Sequence, residues 1–154
     1  MIVKILQIGF AASAFFLAVS ACFGQAVAKT PDSGKAAADA VSSSPAYAEL
    51  LLRRTDLTAE LESLLIDYTD DYPKVKELRY TLDALKLETE RLRKVKPADS
   101  GRLTLALGRL IVRKVELETD VWNLLRTYKD EHPDVKRAKR KVDIYEAAIK
   151  EILG

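Results

Sequence analysis

One histidine, one cysteine, a few paired carboxylates and a single basic run are the groups with which this chain could do chemistry. His132 could serve as a general base or a metal ligand. It stands directly before Pro133, and the position 60 residues earlier holds Tyr72. A group that tyrosine replaces within one molecule reads as a packing or capping side chain rather than a base. Asp70 with Asp71, and Asp130 with Glu131, could contact Ca²⁺, but two adjacent carboxylates fall far short of a cage of roughly six to eight oxygens. Placed just before a helix, they suit its positive end instead. The sequence has no H-E-x-x-H, no zinc-spaced Cys/His cluster and no phosphate-cradling glycine loop. The expectation is therefore a protein that is not an enzyme, with no cofactor and no metal site.

Two further features could bind rather than react. Lys136, Arg137, Lys139, Arg140 and Lys141 crowd one short stretch. Such a run is either a solvated face or an anionic-surface patch for acidic lipid or glycan. Trp122 sits beside Val121 and reads as a bundle edge or as an anchor for a partner. Net charge is only +2, from 25 basic and 23 acidic residues, so no strong field draws the chain to nucleic acid.

The elements that must position these groups repeat. Residues 50–93 recur as 110–153 at a constant offset of 60, with 11 identities in 44 aligned positions. Tyr68, Asp70, Pro73 and Val75 return as Tyr128, Asp130, Pro133 and Val135, within Y-x-D-x-[YH]-P-x-V-K. Helices that merely shared leucine spacing would not share this element, so the chain reads as two tandem copies of one helix-break-helix unit. Copy 1 covers about 47–96 and copy 2 about 101–154, together a helical repeat domain over 47–154.

Apolar side chains fall at 50, 57, 61, 64 and 68, and at 110, 117, 121, 124 and 128, the three-four alternation of a coiled-coil seam. Arg54 and Lys114 fill the gaps; the favoured reading for both is an aliphatic stem along the seam with the charge in water, and the alternative is a buried charge that fixes the register. The pattern resumes after each proline, which predicts four helices over about 46–70, 73–95, 101–130 and 133–153. Lys96-Pro97-Ala98-Asp99-Ser100-Gly101 stops the second helix, and Asp99 or Ser100 can cap the third. At Pro73 and Pro133 two geometries compete. Hairpins give an all-α, antiparallel four-helix bundle. Kinks give two rods, each roughly 75 Å long, paired as a coiled-coil hairpin. Short polar turns generally reverse a helical chain, which favours the compact form.

The N-terminal part is different. Residues 1–28 read as an export leader: Lys4 is the only charge before Lys29, and Ala26-Val27-Ala28 has the small-x-small form of a cleavage site. Three fates fit. The leader is a cleaved signal peptide, or Val19-Ser20-Ala21-Cys22 is a lipobox with lipidation at Cys22, or the stretch is an uncleaved membrane anchor at the N-terminus. Residues 29–46 are small, polar and rich in Ala, Ser and Pro, a flexible linker that reaches roughly 20–25 Å, with a transient turn of helix over 36–41 where Ala favours it. The folded part carries no cysteine, so an oxidising compartment is allowed and not required. The expected location is exported, periplasmic or extracellular, soluble or membrane-tethered.

The second copy, with Tyr128, His132, Pro133, Asp134 and Val135 set between leucine heptads, resembles the periplasmic coiled-coil region of the polysaccharide co-polymerases, or chain-length determinant proteins, where leucine heptads run into Y-x-x-x-H-P-D-V. The first copy matches less well, with Tyr72 for His and Lys74 for Asp. The resemblance covers about 88 residues, two stretches of 44. It implies a non-enzymatic coiled-coil scaffold or adaptor of the cell envelope, linked to surface polysaccharide assembly or export. That family carries a membrane helix at each end, and its tyrosine-kinase relatives a phosphate-binding loop; this sequence offers one candidate span at most and no such loop. The expected partner is a protein held by helix packing, a second copy included. A periplasmic helical chaperone or ligand carrier is the alternative.

Overall fold

The structure, a computed structural model, describes residues 39–154. Among the described residues, after a short helical stretch at 39–42, four longer α-helices and a 3-10 turn follow one another: α1 Pro45–Asp67, α2 Pro73–Arg93, the turn Pro97–Arg102, α3 Leu105–Leu125 and α4 Pro133–Leu153. No strand occurs among the described residues. The leader over 1–28, Cys22 within it, and the linker up to residue 38 lie outside the described residues.

Each helix begins where its free N–H groups find acceptors or are not needed. Ser44 Oγ accepts from the Tyr47 N–H, and Thr104 Oγ1 from the Leu107 N–H, both at 3.3 Å. These caps stand 60 residues apart. Pro45, Pro73 and Pro133 each open a helix, where a missing N–H costs nothing. The third helix starts at Leu105, later than the sequence pattern suggests. Pro97 winds the preceding residues into the 3-10 turn, closed by Asp99 N–H to Lys96 O and Leu103 N–H to Ser100 O. That turn buries Leu103 to 1 % exposure, and the capping role passes from Asp99 or Ser100 to Thr104.

Both proline breaks are hairpins. Tyr68 is extended at φ −125°, ψ 153°, and Tyr72 and His132 are extended before their prolines, as the proline ring requires. These extended residues take the chain out of helical geometry. The seven-residue phase across each break exists because both arms of the hairpin face the same core. α1 and α2 are antiparallel, joined near one end by Lys74 and Glu60 and near the other by Arg93 over the Tyr47 ring. α2 and α3 are antiparallel through Glu77 with Asn123 and Glu88 with Lys114. The Arg102 guanidinium donates to the Leu153 carbonyl, tying the start of the α3–α4 hairpin to its end.

The expected all-α antiparallel bundle is present, packed as three helices plus one. α1, α2 and α3 touch one another in all three pairings, whereas α4 packs on α3 and the 3-10 turn. α1 and α3 therefore run parallel and in contact, with Ala46 N–H donating to Leu103 O at 3.2 Å. Gly108 permits this approach: a Cβ added there would lie 2.9 Å from the Ala46 Cα. The core runs along the seam through Leu50, Leu57, Leu78, Leu85, Ile111 and Val115, each almost fully buried. Burying one such side chain stabilises the fold by about 2 kcal/mol.

Two expectations are corrected. The stretch read as a linker over 29–46 already belongs to the domain from residue 39: residues 39–42 are helical, Val41 is 2 % exposed and Ala46 is fully buried. Val41 is an isolated apolar residue among small polar ones, so it leaves no periodic signal. Lys114 does not reach water. It is 3 % exposed and ion-paired with Glu88 at 2.7 Å and Glu118 at 3.3 Å, while Arg54, 60 residues earlier, is half-buried.

Candidate functional site at the hairpin tips

Because α1 and α3 are parallel, the two proline hairpins project from the same end of the molecule. Their internal geometry matches. The rings of Tyr68 and Tyr72 stack with centroids 4.1 Å apart and planes at 15°; those of Tyr128 and His132 stack at 4.1 Å and 23°. Tyr72 N–H donates to Thr69 O and His132 N–H to Lys129 O, both at 3.0 Å. Asp70 accepts from Arg79 and Asp130 from Lys139, each reaching nine residues along to the following helix. Val75 and Val135 plug the base of each hairpin at 0 % exposure.

These contacts give each motif residue a mechanical part. The aromatic pair stiffens the turn by offset stacking. The aspartate ties the turn to its own outgoing helix, and the proline starts that helix. His132 adds a cap, its Nδ1 accepting from the Asp134 N–H at 3.2 Å. Tyr68 and Tyr128 remain 45 % and 41 % exposed, so they stand at the end of the seam without sealing it. In the first tip Asp71 also pairs with Lys76 at 2.8 Å, and that hydrogen bond holds its carboxyl below the usual aspartate range.

The basic run is divided. At 100° per residue, Lys136, Arg137, Arg140 and Lys141 share an arc of about 140° on α4, while Lys139 points away from it. Lys139 is committed to Asp130 at 2.7 Å, and Arg137 is hydrogen-bonded to Asp134. Arg137 and Lys141 line a groove of about 480 Å³ beside α3, together with Asp120, Asp134, Leu117 and Leu124. The positive charge there is balanced in part by carboxylates. Lys136 and Arg140 face outward.

Several residues outside the motif organise the interior. Lys114 and Glu88 form a buried pair between α3 and α2, and Arg91 adds a second bond to Glu88 at 2.6 Å. Burial pulls the Lys114 ammonium down, but the bonds and charges of Glu88 and Glu118 outweigh it, so its pKa stands above the usual lysine value. Thr81 and Thr119 hydroxyls meet at 3.0 Å across the same interface. Tyr80 stacks on Trp122 at 5.0 Å, and the Arg126 guanidinium lies 5.0 Å from the Trp122 ring centroid. Desolvation beside Trp122 pushes the Tyr80 hydroxyl upward. The Trp122 signal was visible in the sequence; its partners, 42 and 4 residues away, were not.

Among the described residues, no group of three or more His, Cys, Asp or Glu is placed to hold a metal ion. No helix of the described residues is long and apolar enough to cross a membrane. Compared with protein-family models, curated proteins and solved structures, the chain matches none.

Proposed function

We propose that this chain is a non-enzymatic, exported helical scaffold or adaptor of the cell envelope, working through helix packing against a protein partner. The observation that carries this reading is where apolar surface is left open. Leu51, Leu52 and Ile66, on the outward side of α1, are 41 %, 59 % and 82 % exposed. Ile144, on the outer arc of α4, is 57 % exposed. Scattered apolar residues are ordinary on a surface, but several of them on one helix face with few charges, Glu62 among them, are what a partner helix covers. The leader over 1–28 supports export, and the linker supports display near a membrane.

The link to surface polysaccharide assembly rests on the resemblance around Tyr128, His132 and Pro133. Deleting the protein from its cells should alter the amount or chain length of surface polysaccharide; unchanged polysaccharide removes that link. The second reading, a ligand carrier, is favoured by one feature. A groove of about 290 Å³ between α2 and α4 is lined by Leu92, Ile111, Ile149 and Leu153. That volume is at the lower edge of typical ligand sites. A small molecule that copurifies and is released by denaturation would favour this reading over the scaffold.

A further inference from the structure

α3 lies against the first hairpin, over Leu57, Glu60, Glu77, Leu78 and Thr81. Sixty residues further on stand Leu117, Asp120, Arg137, Ala138 and Lys141, and these five line the open groove of about 480 Å³ between α3 and α4. The second hairpin therefore presents, empty, the surface that α3 covers on the first. The helix equivalent to α3 is α1, and its outward face is the one left open. Ile111 and Val115, buried on α3, have Leu51 and Thr55, exposed on α1, as counterparts.

We propose that a second copy of this chain docks head to tail, the outward face of α1 in one copy seating in the α3/α4 groove of the next. This deepens the scaffold reading and rests on it. Stacked helical-hairpin units bury a continuous core only while neighbours remain, and a terminal unit needs a polar outer face. The outward face of α1 is only partly so: Ala48, Leu52, Thr55, Ala59, Ser63 and Ile66 leave its centre uncharged, with Glu62 and Asp56 at its two edges.

The contacts inside the molecule transfer with complementary chemistry. Arg53 pairs with Glu116 at 3.1 Å, and the equivalent pair between copies is Arg113 with Asp56. Tyr80 stacks on Trp122, and the equivalent pair is Arg140 with Glu62, again opposite charges. Ala46 meets Gly108 closely, and the equivalents Ala106 and Ala48 are both small and exposed. One contact does not transfer: where Lys114 meets Glu88, Arg54 would face Ala148. The association between copies is accordingly weaker than the packing within one. Such a contact is heterologous, so it yields a ring or an open array rather than a closed dimer.

Glu62 and Arg140 are both exposed, so reversing their charges tests the contact without opening the core. The full chain in mild detergent is followed by sedimentation over a wide concentration range. Wild type should gain mass with concentration in steps of one protomer. Glu62→Arg and Arg140→Glu should each weaken association about tenfold, and the double variant should restore it. Ala48→Trp, which fills the close approach, should abolish it. A wild-type chain that stays monomeric throughout overturns the inference and leaves the face of α1 to the N-terminal segment or to a different protein. Association indifferent to all four variants overturns this interface while the scaffold reading stands. A monomer that carries a copurified ligand removes both.

Discussion

Replacing Lys114 with alanine should be among the most damaging single changes in the domain. Lys114 is 3 % exposed and Glu88 7 %, and they meet at 2.7 Å. Removing one partner of a buried ion pair typically costs about 3–5 kcal/mol, because the remaining charge is left without compensation. Here Arg91 also reaches Glu88, at 2.6 Å, which places the expected loss at the lower end, about 3 kcal/mol. For a domain of this size that corresponds to a fall in Tm of about 10 °C. Lys114→Met combined with Glu88→Leu removes both charges and keeps the volume, so it should lie close to wild type or above it. Urea unfolding followed by helical circular dichroism measures all three proteins. A Lys114→Ala variant within about 0.5 kcal/mol of wild type would refute the reasoning, since it would mean that the pair is hydrated and contributes as a surface pair does.

Three other outcomes follow. Gly108→Ala should destabilise by about 1–2 kcal/mol despite alanine's better helix propensity, because the new Cβ would lie 2.9 Å from the Ala46 Cα and the Glu49 Cβ; Gly101→Ala, with nothing within 4 Å, should be neutral, and urea midpoints compare the two. Asp70→Ala with Asp130→Ala should cost under about 1 kcal/mol per site, since both are exposed, yet speed amide exchange at Tyr72 and His132; unchanged exchange would mean that these aspartates do not hold the turns. Because the folded-state pKa of Lys114 is raised, its contribution is intact below the ordinary lysine value of about 10.4 and is lost as pH rises through the higher folded value. Thermal scans in that alkaline window should show wild type losing stability faster than Lys114→Met with Glu88→Leu.

The helices were legible because burying a stripe on each helix requires a three-four period, and that period recurs in the sequence at an offset of 60. The proline breaks could be placed to the residue, since Pro73 and Pro133 each open a helix. Their geometry was only half legible: a seven-residue phase across a break is shared by a kink and by a hairpin whose arms face one core. The tip aspartates were marked by recurrence, but recurrence does not reveal that their partners are Arg79 and Lys139, which depends on where the outgoing helix turns. Of the two readings of Lys114, sequence favours the wrong one, because burial of a charge depends on what lies across the interface, and Glu88 is 26 residues away. The parallel contact of α1 with α3 rests on close packing at Ala46 and Gly108. A single glycine in a leucine-rich helix does not announce that contact.

In the proposed function, this protein holds another protein against its open helix faces. The most direct measurement is site-specific photo-crosslinking in the cells of origin, with the reactive side chain at Leu52 on α1 and at Ile144 on α4, and Leu85 in the core as the reference position. Discrete adducts of protein mass are expected from Leu52 and Ile144 and none from Leu85. Leu52 and Ile144 giving no protein adduct, with a small molecule retained by the purified chain instead, would contradict the proposed function.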